Sequence, residues 1–235
     1  MFNLLSHYGI RFEEQAHAYW KGTDRRDSVT SVLPYFGNDF LDKNPAVINL
    51  AGKRGSSIAN DISAIERVDV TPNNDPQWCL HLDAYRQFKR DTGFDSIASE
   101  LFVYHPTMGY AGRIDIAGFM PLTKMAGPGL VEVKASYEIP ATVGWQSAAY
   151  LEAFNKNAAL YGLPKLKWRA CLHLNPKLYK NGYRLEPLTD PSDFGSFACL
   201  LGAHRLARRL NLALKFEPID ATKPATAPNP SEVFA

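Results

Sequence analysis

The sequence lacks the cysteines that a disulfide scaffold or a thiolate metal site requires. Only Cys79, Cys171 and Cys199 occur among its 235 residues, and they are far apart. Such spacing forms neither a disulfide framework nor the paired ligands of a zinc site. Three thiols also cannot supply the four thiolates of an iron–sulfur cluster. We therefore expect a protein of a reducing compartment, the cytoplasm.

Long apolar runs and an excess of one charge are also missing. No apolar segment approaches the ~18 residues of a membrane span, and residues 1–7 lack the charged start of a signal peptide. The 26 Lys and Arg residues nearly balance the 24 Asp and Glu residues, for a net charge of +2. No Gly-Lys-Ser/Thr phosphate loop occurs. These absences predict a soluble protein with no membrane partner, no ATP-driven motor and only a local basic surface.

The apolar content, 46% of the residues, is sufficient for one folded domain. Residues 1–217 are expected to form it, and residues 218–235, with four prolines, to form a flexible tail. Ser28 is a candidate cap for a short helix. Apolar periodicity predicts helices over 46–66, 76–91, 141–161 and 191–215, the last capped by Asp190, and strands over 97–104, 110–119, 129–135, 167–174 and 182–188. This order predicts a mixed α/β fold.

Two consecutive strand-like segments each carry one acidic residue among apolar ones. Residues 112–118 have Asp115 at their centre, and residues 129–134 carry Glu132 followed by Lys134. Side chains alternate between the two faces of a strand, so Glu132 and Lys134 should emerge together. A hairpin between the segments would bring Asp115 beside them.

The apolar residues between these charges predict which face is the core. Val131 and Val133 should point into the core from the second segment. Ile114 and Ile116 should do the same from the first segment, so Arg113 would emerge on the polar face.

Two adjacent carboxylates repel one another unless a cation lies between them, and hard oxygen ligands suit Mg²⁺ or Mn²⁺. Such an ion lowers the pKa of its bound water and can neutralise charge on a phosphoryl group. A neighbouring lysine can orient or deprotonate the attacking water. Asp115, Glu132 and Lys134 together therefore favour a metal site over an ordinary solvent-facing edge strand.

Asp115 followed by residues 132–134 (Glu-Val-Lys) resembles the signature of the PD-(D/E)XK nuclease superfamily. Gln146 and Tyr150, in the next predicted helix, resemble the Gln-x-x-x-Tyr motif of its RecB-like exonuclease branch. Residues 17–33 are similar to the opening of phage-type members. The resemblance implies a restriction-endonuclease-like core, in which helices flank a central mixed β-sheet.

The resemblance also implies roles at the metal site. Asp115 and Glu132 would bind the catalytic Mg²⁺ or Mn²⁺, with the carbonyl of Val133 as a third protein ligand. Lys134 would position or activate the water. Glu100, on the strand before Asp115, would assist the metal site or a second ion.

Contacts with DNA are implied for a second group of residues. Gln146 and Tyr150 share one helix face, where they would flank the active site and contact the DNA or steady Lys134. Arg113 and Trp145 complete this group, and Trp145 could stack on an unpaired base.

The implied function is metal-dependent DNA exonuclease activity in phage recombination, replication or DNA degradation. It would act in the host cytoplasm beside phage recombination or replication proteins. Two alternatives stay open: an endonuclease of the same fold, and a catalytically weak nucleic-acid-binding module. Ala59 supports the second, because RecB-like members often place a histidine there; Asn60 or Asp61 could partly substitute.

Positive charge is concentrated late in the chain. Residues 165–215 carry ten Lys and Arg residues against three acidic ones. This excess could form a phosphate-binding wall and make binding salt-sensitive. For Arg205, Arg208 and Arg209, an ordinary solvated helix face fits equally well.

Overall fold

The computed structural model describes residues 4–33, 45–67 and 76–211. Its helices are α1 (Leu4–His7), α2 (Val29–Val32), α3 (Pro45–Glu66), α4 (Cys79–Thr92), α5 (Val143–Tyr161) and α6 (Asp193–Leu210). Its strands are β1 (Ile10–Glu13), β2 (Ala18–Lys21), β3 (Asp24–Ser28), β4 (Asp95–Tyr104), β5 (Tyr110–Phe119), β6 (Pro128–Lys134), β7 (Trp168–Leu174) and β8 (Tyr183–Pro187). Among the described residues, no helix has the length and apolar character needed to span a bilayer.

All eight strands belong to one mixed sheet. The order along the sheet is β1-β2-β3-β5-β6-β7-β8, and β4 pairs with β5 from its other edge. The β3–β5 and β6–β7 pairs are parallel, whereas the remaining pairs are antiparallel. Helices pack on both faces of the sheet, which confirms the predicted α/β class with a central mixed sheet.

Each face of the sheet has its own core. Buried residues of α2, α5 and α6 pack on one face, and buried residues of α3 and α4 pack on the other. A smaller third core joins α1 and the β1–β2 hairpin to β4 and β5. The strands at the centre of the sheet are therefore covered on both sides, so any polar residue they carry is drawn toward the interior.

Strand β5 has two neighbours on the edge opposite β4. Strand β3 pairs with its beginning, at Tyr110 and Ala111, and β6 pairs with its end, from Ile116 to Phe119. Residues 112–115 lie between these two ladders. The sheet therefore opens beside Asp115, at the point where β5 and β6 separate.

Ile114 and Ile116 pack on opposite faces of the sheet, which corrects the prediction that both enter one core. Ile114 lies with α5 and α6, whereas Ile116 lies with α3 and α4. Across the ladder, Glu100 has a left-handed backbone with φ of 50°. This conformation costs about 1–3 kcal/mol for a residue with a side chain, and it interrupts the regular alternation of β4. Val131 and Val133 do pack against the α3–α4 core, as predicted.

The ends of two helices test the predicted caps. Ser28 caps α2, because its hydroxyl accepts a hydrogen bond from the Ser31 N–H at 3.1 Å. Helix α6 instead has Ser192 at its N-cap and ends at Leu210, so the predicted cap at Asp190 is wrong. The predicted tail, 218–235, lies outside the described residues.

Candidate active site

Asp115 links β5 and β6 where the strands separate. The Val133 backbone N–H donates a hydrogen bond to Asp115 Oδ2 at 2.8 Å, beyond the last ladder pair of Ile116 and Val131. Burial and the neighbouring Glu132 carboxylate raise the pKa of Asp115 well above its usual range. The two acidic residues are therefore close enough to oppose each other's ionisation.

Glu132 is enclosed by the protein, although alternation predicted that it would emerge from the sheet. Its residue exposure is 2%. Oε1 accepts a hydrogen bond from Lys134 Nζ at 2.8 Å, but Oε2 is buried and has no hydrogen-bond partner among the described residues. Leaving such an oxygen unsatisfied costs about 1–3 kcal/mol or more. A bound cation would remove this cost.

Lys134 is fixed from two sides. Besides its bond to Glu132, its Nζ donates to Gln146 Oε1 at 3.1 Å, and Gln146 Nε2 donates to Tyr150 OH at 3.2 Å. Gln146 and Tyr150 are both buried, which places them behind Lys134 and away from the protein surface. Burial lowers the pKa of Lys134, but Glu132 and Asp115 outweigh it, so the pKa lies above its usual value.

Gly112 completes this support, a role that the sequence analysis did not assign to it. A Cβ on Gly112 would lie 2.3 Å from Tyr150 Cε1, so only glycine allows the ring to approach β5 this closely. Its signal in the sequence is a glycine within a strand, three residues before the acidic position.

The acidic pair opens into a cavity of about 490 Å³ beside α3. Asp115, Glu132, Val133 and Lys134 form one wall. The other lining residues are Gly52, Arg54, Gly55, Ser56, Ile58, Ala59, Ala135, Ser136 and Pro140. Buried His173 holds the loop after β6, because its Nε2 lies 2.8 Å from the Ser136 carbonyl oxygen.

Ala59 lines this cavity, at the position where the resemblance expects a histidine. Asn60 is exposed, and Asp61 is buried without lining the cavity. Neither neighbour therefore takes the place of the histidine side chain in the cavity wall.

The cavity offers two carboxylates to a metal ion. Among the described residues, no three His, Cys, Asp or Glu side chains form a metal-binding group. Mg²⁺ commonly takes one or two carboxylates and keeps several waters, so Asp115 and Glu132 are a sufficient donor set. A cation at this position would pair with the Glu132 oxygen that has no partner among the described residues. It would also relieve the repulsion between the two carboxylates.

Glu100 and Arg113 pair with one another instead of joining the cavity. Arg113 Nε lies 2.7 Å from Glu100 Oε2, and the guanidinium is 5.8 Å from the Phe12 ring and 5.9 Å from the Phe102 ring. Glu100 lines a separate cavity of about 920 Å³ beside α1 and β1. Glu100 is still close enough to the acidic pair to help raise the pKa of Asp115, and Glu132 helps raise the pKa of Glu100. Its predicted role beside the metal site therefore stays a prediction, and Arg113 is engaged within the protein.

Trp145 is half-buried against the core under α5 and lines neither cavity. The stacking role predicted for it stays a prediction.

Four of the ten basic residues over 165–215 are paired with acidic side chains within the chain. Arg205 Nε and Arg208 Nη1 each lie 2.7 Å from the Asp27 carboxylate. Arg169 and Arg184 also form ion pairs with acidic side chains. The positive charge left for a phosphate-binding wall is therefore smaller than the sequence suggests.

Comparison with known proteins found no matching family model and no matching curated protein. Among solved structures, the chain is similar to an alkaline exonuclease (LHK-Exo) from Laribacter hongkongensis, at 15% identity over 79% of this chain and 89% of that one, with a TM-score of 0.36. It is also similar to LHK-Exo in complex with dAMP, at 14% identity over 79% and 93% of the two chains, with a TM-score of 0.33. The overlap at these TM-scores is loose, so the site is assigned from its own geometry.

Proposed function

We propose that the protein is a metal-dependent DNA exonuclease that hydrolyses phosphodiester bonds in the cavity beside α3. The observation that carries this proposal is the Oε2 atom of Glu132, which is buried and has no hydrogen-bond partner among the described residues. Asp115 lies beside it, and the pKa of Asp115 is raised well above its usual range. A lysine fixed beside this pair adds the positive charge that a phosphodiester substrate requires. The exonuclease mode rests on the resemblance of Gln146 and Tyr150 to the RecB-like motif.

Asp115 and Glu132 would hold Mg²⁺ or Mn²⁺, with the Val133 carbonyl as a further ligand. When bound, the ion would lower the pKa of a water molecule and neutralise charge developing on the phosphoryl group. The bound ion would also offset the negative charge of the two buried carboxylates, which otherwise repel one another.

Lys134 would act as a cationic hydrogen-bond donor in this mechanism. Its raised pKa keeps the ammonium charged at neutral pH, so it orients the nucleophile and stabilises negative charge without taking a proton. Gln146 and Tyr150 act through Lys134, since their hydrogen bonds fix where its Nζ lies. We describe them as positioning residues.

A nucleic-acid-binding module with weak catalysis is the second candidate function. Ala59 lines the cavity without a ligand atom, and the described residues offer only two carboxylates. This arrangement favours a metal bound more weakly than in a three-ligand site.

The setting that we propose is phage recombination or replication in the host cytoplasm, with the other proteins of that process as partners. Digestion of end-labelled linear and closed circular DNA, single- and double-stranded, tests the activity in Mg²⁺, Mn²⁺ or EDTA. We expect metal-dependent loss of linear DNA only, abolished by Lys134→Ala. Cutting of circles would indicate an endonuclease, and binding without cleavage would indicate the module.

A further inference from the structure

One cation in the cavity wall is not used by the mechanism above. Arg54 lies on α3, lines the same cavity as Asp115 and Glu132, and has no ion pair with an acidic side chain in the part of the chain that the structure describes. Its Nε is buried and has no hydrogen-bond partner there. A buried guanidinium nitrogen without an acceptor is costly, which indicates that an anionic ligand completes it.

The electrostatic surroundings of Arg54 are consistent with an anionic ligand. Burial lowers the pKa of His81, at the start of α4, and the positive charges of Arg54 and Lys177 lower it further. Arg54 and Lys177 therefore both add positive charge on this side of the protein.

The anion that fits Arg54 is a phosphate. Glu132 and Gln146 hold Lys134 Nζ beside the carboxylate pair, so a neighbouring phosphate would need a separate cation. Arginine presents a planar fork of donors that matches two phosphate oxygens, and DNA supplies phosphates at regular spacing beyond the scissile bond.

We propose that Arg54 forms a phosphate subsite that binds the DNA strand next to the scissile position. This inference rests on the proposed function, because it places the strand relative to the carboxylate pair. The subsite would place that strand against α3, which carries Arg54.

Binding of fluorescent DNA oligonucleotides tests the subsite, with Ca²⁺ in place of Mg²⁺ to limit cleavage. We expect Arg54→Ala to weaken binding about tenfold and to reduce the slope of log affinity against log salt by about one. Arg54→Lys should fall between Arg54→Ala and the wild type, because it keeps the charge and loses the fork. Oligonucleotides with a 5′-phosphate or a 5′-hydroxyl distinguish a terminal phosphate from an internal diester.

Lys53→Ala is the matched control, since Lys53 is the exposed neighbour on the same helix, has the same charge and does not line the cavity. It should change affinity less than about twofold, as expected for a single exposed charge. Equal effects of Arg54→Ala and Lys53→Ala would overturn the subsite while leaving the proposed function intact. Thermal stabilisation by Ca²⁺ should be the same in Arg54→Ala and wild type, because the carboxylates are untouched. A wild-type protein that neither binds DNA nor gains stability from metal would overturn both proposals.

Discussion

Asp27 and Glu132 are both buried carboxylates, at 6% and 2% exposure, but their surroundings differ. Both oxygens of Asp27 are occupied: Oδ2 accepts a hydrogen bond from Arg205 and Oδ1 accepts one from Arg208, each at 2.7 Å. At Glu132, Oε1 has a partner, whereas Oε2 has none in the part of the chain that the structure describes.

The difference separates a structural charge from a functional one. The ion pairs of Asp27 join the end of β3 to α6. The charge of this carboxylate is therefore fully compensated within the fold. At Glu132 the fold leaves a charge under-compensated beside a second carboxylate, and a protein tolerates that cost where a ligand completes the site.

The largest effect should come from removing the charge of Glu132. We expect Glu132→Gln to reduce cleavage by about 10²–10³-fold, the range for removing one electrostatic group from an active site. Its melting temperature should change little, since relief of the repulsion with Asp115 offsets the loss of the ion pair with Lys134. Cleavage assays and thermal melts with and without Mg²⁺ measure both effects. A variant that cleaves normally, or that Mg²⁺ still stabilises as it does the wild type, would remove Glu132 from the site.

The opposite result is expected at Asp27. Asp27→Asn should lower the free energy of unfolding by about 2 kcal/mol, because Arg205 and Arg208 lose a charged acceptor. Cleavage by the folded variant should be unchanged. Urea denaturation measures the loss, with Asp24→Asn as the control: that side chain is 77% exposed, so a change below about 0.5 kcal/mol is expected. Equal losses in the two variants would contradict the comparison.

Gly112→Ala probes the support behind Lys134. The added methyl group would displace the Tyr150 ring and, through Gln146, the position of Nζ. We expect a loss of about 1–3 kcal/mol of stability together with reduced turnover. Gly195→Ala is the control, because its Cβ would meet nothing within 4 Å. Wild-type turnover in Gly112→Ala would show that the hydrogen-bonded chain does not position Lys134.

The smallest effect concerns pH at the Asp27 cluster. Burial lowers the pKa of His204, and Arg205 and Arg208 add to this against the attraction of Asp27. The unfolded chain therefore binds a proton at higher pH than the folded one, so the free energy of unfolding should fall as pH drops below about 6.5. His204→Gln should flatten this dependence in urea melts across that range. An unchanged profile would show that His204 does not contribute to it.

Much of the site follows from the chain itself, because strand and helix periodicity are local properties. The order of elements, the Ser28 cap and the shared helix face of Gln146 and Tyr150 all depend on residues a few positions apart. The pairing of Asp115 with the strand of Glu132 follows from a short connection between two neighbouring segments. The sequence by itself therefore determined the fold class and the meeting of Asp115, Glu132 and Lys134 at the cavity.

Only the tertiary structure decided how each charge is compensated, since that depends on partners distant in the chain. Arg208 and Asp27 are 181 positions apart, so the sequence around Arg208 does not indicate that it is paired. The left-handed backbone at Glu100 accompanies the change of face between Ile114 and Ile116, which strict alternation could not anticipate. Packing on both faces of the sheet enclosed Glu132 and brought Arg54 of α3 into the lining of the same cavity, and those two placements define the site.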